Sequence, residues 1–168
     1  MSSLDSIPVS RVMASPVKTI QENEIIQQAC KIMIQNNVSS VIVVVVHSAN
    51  AQMPAGIITE RDIVRRMAER PISFSEPVNQ LMSKPIVTIH PNASLQHALQ
   101  IMHARDIRRL LVVSEDGNNI AGILTDKDIF RFIARNESIP SGLITDQVLA
   151  KNREMAERFN SSLLDDIK

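Results

Sequence analysis

The chain reads as an α+β protein: two β-α-β-β-α repeats packed through their sheets about a pseudo-two-fold axis, followed by a C-terminal helix. Three observations lead there. One strand-to-helix phrase occurs twice, as Gly56-Ile57-Ile58-Thr59-Glu60-Arg61-Asp62 and as Gly122-Ile123-Leu124-Thr125-Asp126-Lys127-Asp128. A second phrase, Met13-Ala14-Ser15-Pro16-Val17-Lys18-Thr19-Ile20, returns 69 residues later as Met82-Ser83-Lys84-Pro85-Ile86-Val87-Thr88-Ile89. Between the two phrases, apolar residues first recur at helical spacing and then form a β-branched run.

Each unit is read in the same order. A short strand at 17–20, or 86–89 in the copy, precedes Asn23 or Asn92, side chains suited to capping a helix N-terminus. Ile26, Ala29, Cys30 and Met33 then mark one helical face, repeated by Leu95, Ala98, Leu99 and Met102. Asn36-Asn37 ends the first helix, because asparagine tolerates the left-handed conformation. The strand at 41–46 is apolar throughout, as expected of one buried on both faces; its copy is 110–113. Glu115-Asp116-Gly117-Asn118-Asn119 has the composition of a hairpin turn, and returning strands at 55–58 and 121–124 lead into the second helices. The offset falls from 69 to 66 between Val43/Val112 and Gly56/Gly122, so the first unit carries about three extra residues in its His47-to-Pro54 loop.

The units are placed at 8–70 and 71–136, with the breaker-rich Arg70-Pro71-Ile72-Ser73-Phe74-Ser75-Glu76-Pro77 as connector. Units of about 60 residues are small for independent stability, so each is expected to cover the other's open sheet face. A tail at 137–168 lies outside the repeat. It holds an amphipathic helix from about 145 to 160, with Ile144, Val148, Met155 and Phe159 on one stripe, to pack on its own domain or on a partner chain.

Composition narrows the function. The 168 residues are 44% hydrophobic, with Lys+Arg and Asp+Glu balanced at 18 each. No overall charge draws the chain to nucleic acid or to an anionic membrane. With no Trp, no Tyr and four Phe there are no base-stacking platforms, and no apolar run approaches the roughly 20 residues of a membrane span. The single cysteine, Cys30, and the absence of a signal-peptide pattern at residues 1–6 suit a reducing cytoplasm. His47, His90, His97 and His103 show no metal-ligand spacing, and no nucleophile-base or paired-carboxylate arrangement emerges, so an enzyme is not expected.

The duplicated junction has two chemical readings. Thr125 at a helix N-cap accepts from the third helical N–H while Asp128 reaches back, a capping box that needs no ligand; Thr59 and Asp62 repeat it. The same helix start, with free N–H groups and the positive end of the dipole, favours a phosphate, and an aspartate accepts from paired hydroxyls such as those of a ribose. The copies differ just upstream: Ile107-Arg108-Arg109 in the second unit stands where the first has Val38-Ser39-Ser40. Arginine forks match phosphate; serine offers one neutral hydroxyl.

The doubled Met-x-x-Pro-Val/Ile-x-Thr-Ile and Gly-Ile-hydrophobic-Thr-x-x-Asp-Ile phrases resemble a tandem pair of cystathionine β-synthase (CBS) domains, a Bateman module, over about residues 8–136. The resemblance implies a regulatory module, commonly homodimeric, that takes AMP, ADP, ATP or S-adenosylmethionine between its repeats and signals by conformational change to a regulated protein. It implies that the aspartate holds ribose hydroxyls, that the threonine lies beside ribose or phosphate, and that the start of the central strand faces the phosphate. The stronger site is therefore placed at Thr125 and Asp128, with Arg108, Arg109 and Ser39, adenine near Ile86, Thr88 and Val38, and Lys127 as a further phosphate contact. A weaker site is placed at Thr59, Asp62, Ser40, Ile107, Val17 and Thr19, with Arg108 able to reach it from the other repeat. The alternative is a structural scaffold with degenerate clefts, acting through dimerisation and its C-terminal helix.

Overall fold

The computed structural model describes residues 4–46, 52–114 and 119–136. The first unit runs β1 (Thr19–Gln21), α1 (Ile26–Asn36), β2 (Ser40–Val46), β3 (Gln52–Thr59), α2 (Glu60–Glu69). The second runs β4 (Thr88–Ile89), α3 (Leu95–Ala104), β5 (Arg109–Val113), β6 (Ile120–Thr125), α4 (Asp126–Arg135). Each forms a three-stranded sheet with its middle strand parallel to the first and antiparallel to the third, in the orders β1-β2-β3 and β4-β5-β6. The expected α+β fold and its β-α-β-β-α order are thus present twice. The expected loop at 47–51, the turn at 115–118 and the C-terminal helix lie outside the described residues.

Strand alternation explains the apolar run of β2, since successive side chains point to opposite faces. Val41 and Val43 pack with Ile26, Ala29 and Met33 on the helix side. Ile42 and Val44 face the other way, meeting Leu111 of β5 in a layer completed by Val17, Ile57, Ile86 and Ile123. The two sheets bury their open faces against each other through this layer.

The openings of the two units are exchanged. Ile7 and Val9 lie in the core of the second unit with Ile89, Leu95, Ala98 and Met102, while Val78 and Leu81 complete the core of the first. The next residues add short rungs to the far sheet: Ala14 and Ile123 exchange hydrogen bonds of 2.8 and 3.0 Å, and Ser83 and Ile57 exchange bonds of 2.8 and 3.1 Å. Gly122 and Gly56 permit this approach. A Cβ built on Gly122 would stand 2.6 Å from Met13 Sδ and 2.9 Å from the Ala14 carbonyl oxygen, and one on Gly56 would meet Met82 Sδ at 2.7 Å.

The same exchange corrects the expected helix starts. Asn23 and Asn92 are not N-caps; those positions belong to Ile25 and Ser94. Ser94 Oγ accepts from His97 N–H at 3.1 Å. Ile25 has no side-chain acceptor, and the connector substitutes: Ile26 N–H donates to the Glu76 carbonyl at 2.9 Å and Gln27 N–H to the Phe74 carbonyl at 3.0 Å. Asn37 ends α1 in the left-handed region, φ 51°, as its residue type suggests; Asp106 occupies that region after α3, φ 53°.

Candidate functional site

Both strand-to-helix junctions form complete capping boxes. Asp62 Oδ2 accepts from Thr59 N–H at 2.8 Å and from Thr59 Oγ1 at 2.7 Å, and Asp62 N–H donates back to that hydroxyl oxygen at 3.1 Å. In the second unit Thr125 N–H and Oγ1 donate to Asp128 Oδ2 at 3.0 and 2.6 Å, and Asp128 N–H returns to Oγ1 at 3.2 Å. One carboxylate oxygen of each aspartate is thereby committed to the helix start. Its Oδ1 remains for other partners.

Those second oxygens differ. Asp62 Oδ1 accepts from Ser83 Oγ at 3.2 Å, a contact delivered by the exchanged opening of the second unit. Position 14, the counterpart of Ser83, is alanine, and Asp128 Oδ1 instead lies 3.8 Å from Arg131 Nη1, one turn along α4. Ser83 was missed by sequence reasoning, because its contact with Asp62 depends on a pairing between distant segments.

The helix start at α4 is less open to anions than its sequence suggests. Asp126 N–H donates to the Arg108 carbonyl at 3.1 Å, Lys127 N–H to Asp126 Oδ1 at 2.8 Å, and Asp128 N–H to Thr125. The expectation of free N–H groups for phosphate fails here: these three donors are occupied, and the carboxylates of Asp126 and Asp128 already answer the dipole.

Strand alternation assigns the two arginines. Leu110 packs into the helix-side core and Leu111 into the layer between sheets, so Arg109 shares the inter-repeat face of Leu111. Its Nη2 donates to Ser39 Oγ at 2.7 Å across the repeats. Burial pushes the Arg109 pKa below the ordinary guanidinium range; the charges of Asp126 and Asp62 oppose that fall, while those of Arg61 and Arg108 add to it. Arg109 thus stands in the field of both junctions. Arg108 turns back toward its own helix, with Nε 4.0 Å from Asp126 Oδ2. It is Arg109 whose side chain bonds across to the first repeat.

The remaining expected residues divide by the exchange. The chain at Ser83 bridges to Ile57 of β3 beside the Asp62 junction and then returns to its own sheet; the chain at Ala14 bridges to Ile123 of β6 beside the Asp128 junction and returns by Thr19, which pairs with Ile42 of β2. Ile86 and Val17 both pack in the inter-sheet layer, and Thr88 pairs with Leu111 of β5. Val38 and Ile107 accompany the helix ends, their N–H groups donating to Met33 and Met102 carbonyls at 3.0 Å. Ser40 opens β2 opposite Thr59. Lys127 is exposed on the first turn of α4.

Two β-α-β-β-α repeats that exchange their openings and face each other through their sheets, each with a Thr-x-x-Asp cap on its second helix, define a class of paired α+β domains. The CBS domain family matches residues 9–69 and 78–135, and the chain belongs to that family as a tandem pair. It is 36% identical over 135 residues to the CBS domain-containing protein YhcV of Bacillus subtilis, covering 80% of this chain and 91% of that protein. Among solved structures, it is similar to the CBS domain pair of protein MJ0100 in complex with 5′-methylthioadenosine and S-adenosyl-L-methionine, with 26% identity, a TM-score of 0.66, and coverage of 76% of this chain and 96% of that one. It also shares its fold with the CBS domain protein PAE2072 from Pyrobaculum aerophilum, complexed with AMP, at 23% identity and a TM-score of 0.66 over 77% of this chain and 100% of that one.

Proposed function

We propose that this CBS pair is a non-catalytic regulatory module that binds an adenosine-containing ligand between its repeats and acts as a homodimer on a regulated protein. The observation that carries the reading is the position of Arg109, a partly buried cation reaching from the second repeat to Ser39 of the first, in the field of Asp62 and Asp126. Each aspartate offers Oδ1 to a ribose, and Arg109 supplies the phosphate contact. The adenosine compounds bound to the MJ0100 pair support the ligand class.

The Asp128 cleft is the preferred site. Its Oδ1 has no hydroxyl donor from the protein among the described residues, whereas Asp62 Oδ1 already accepts from Ser83 and has less acceptor capacity left for a ribose. Adenine then lies against the Ala14-to-Val17 segment. Occupancy signals only by favouring one arrangement of the repeats over another, and Arg109 is the group positioned to move, exchanging Ser39 for phosphate.

Thermal unfolding with AMP, ADP, ATP, S-adenosylmethionine, 5′-methylthioadenosine and NAD tests the reading. A ligand at 100 times its dissociation constant adds about 2.7 kcal/mol, a shift of several degrees. If none moves the midpoint, the sensor reading fails and the scaffold reading stands. That second reading is favoured by the capping boxes, which are complete without a ligand, and by the exposure of Val64, Met67 and Phe130 on α2 and α4, apolar surface suited to a partner.

A further inference from the structure

A cavity of about 350 Å3 lies on the flank of α4 and contains none of Arg108, Arg109 or Ser39. Asp128, Arg131, Phe132 and Arg135 follow one another down one side of the helix, and the chain at Arg11 and Val12 forms the opposite wall. Arg11 and Val12 are there because the opening of the first unit docks on the second. Their placement is a product of the fold rather than of local sequence.

The lining is strongly cationic. Three guanidiniums face one carboxylate, and among the described residues Arg11 and Arg135 form no ion pair. Arg131 and Arg135 are one turn apart on α4, a like-charge spacing that an isolated helix disfavours. The Arg11 guanidinium carbon lies 5.6 Å from the centroid of the Phe132 ring, which orients its planar fork. Asn136 Nδ2 donates to the Phe132 carbonyl at 2.6 Å, occupying a C-terminal acceptor that would otherwise face an incoming anion.

From this geometry we infer a second binding site, on the α4 flank, for a small phosphate-bearing molecule. Three guanidinium forks match the several acceptor oxygens of a phosphate or diphosphate better than a single carboxylate does. The volume is in the range of small-molecule pockets and exceeds one phosphate, so the body of the ligand lies against Phe132 and Val12. Asp128 forms the edge shared with the inter-repeat cleft; an anion that draws Arg131 away changes what Asp128 Oδ1 faces.

The test titrates inorganic pyrophosphate into the full chain by calorimetry at low ionic strength, in an Arg109→Gln background that removes the phosphate contact of the other cleft. Saturable binding is expected to persist there. It should weaken about tenfold on adding Arg11→Gln or Arg135→Gln, and less than about twofold on adding the exposed Arg105→Gln, which measures general charge loss. Loss of saturable binding with Arg109→Gln alone, when the wild-type chain binds, assigns pyrophosphate to the inter-repeat cleft and overturns the α4 site while leaving the proposed function intact. Absence of binding in both proteins, or equal weakening by Arg105→Gln, also overturns it.

Discussion

Arg109 of β5 donates a 2.7 Å hydrogen bond to Ser39, just before β2, so this partly buried arginine between the sheets is held by a neutral serine rather than a carboxylate. A cation that has lost solvent without gaining a paired anion is costly to hold, and the lowered pKa of Arg109 records that cost. The arrangement makes sense when a ligand phosphate completes it. Arg109→Met is therefore expected to leave the unliganded protein at least as stable as wild type in thermal unfolding. It should weaken a phosphorylated adenosine ligand by about 2 kcal/mol and leave an unphosphorylated one nearly unaffected. Equal loss for both ligands would remove Arg109 from the phosphate site.

The two aspartates separate capping from binding. Asp128→Ala and Asp62→Ala each break a complete capping box and should lower stability alike, by about 1 kcal/mol each. Their ligand responses should differ: Asp128→Ala abolishes the ligand-induced rise in unfolding midpoint, and Asp62→Ala retains most of it. The comparison uses each variant's own unliganded midpoint, so the shared loss of the cap cancels. The reverse ranking would move the principal site to the cleft that contains Ser83.

What was legible in the sequence was local or periodic. The capping boxes are contacts three residues apart, and the inward and outward faces of Ile42 and Val43 follow from strand alternation. The Ser83 partner of Asp62 was not legible, because Ser83 reaches it through the rungs to Ile57 of the other unit. No spacing rule encodes that exchange. The roles of Arg108 and Arg109 lie between these cases: both were visible, and counting back from the Leu110-Leu111 step would have put Arg109 on the inter-repeat face.

The exchange itself depends on two glycines. Gly122→Ala places a Cβ 2.6 Å from Met13 Sδ and 2.9 Å from the Ala14 carbonyl oxygen, and is expected to destabilise by about 1–3 kcal/mol in denaturant unfolding. Met13→Ala added to Gly122→Ala removes the flexible obstacle but not the backbone one. The double variant should therefore recover none of the contribution of the Ala14 rung, whereas full recovery would show that the close backbone approach is dispensable.

The connector gives a pH signature. Glu76 accepts from Arg70 Nη2 at 2.9 Å and from Ser73 N–H at 2.9 Å, while its own carbonyl receives Ile26 N–H at the start of α1. The hydrogen bond from Arg70, followed by that from Ser73, lowers the Glu76 pKa below its ordinary value. A carboxyl whose folded pKa is depressed stabilises the fold above its unfolded pKa, about 4.3, and loses that contribution as pH falls through the lower folded value. Glu76→Gln should accordingly unfold at a lower temperature than wild type at neutral pH, with the gap unchanged down to about pH 5 and closing in stronger acid. Because the pair is at the surface the gap is small and shrinks in high salt. A gap that widens in acid, or that salt does not touch, would place the role of Glu76 in its backbone geometry instead of its charge.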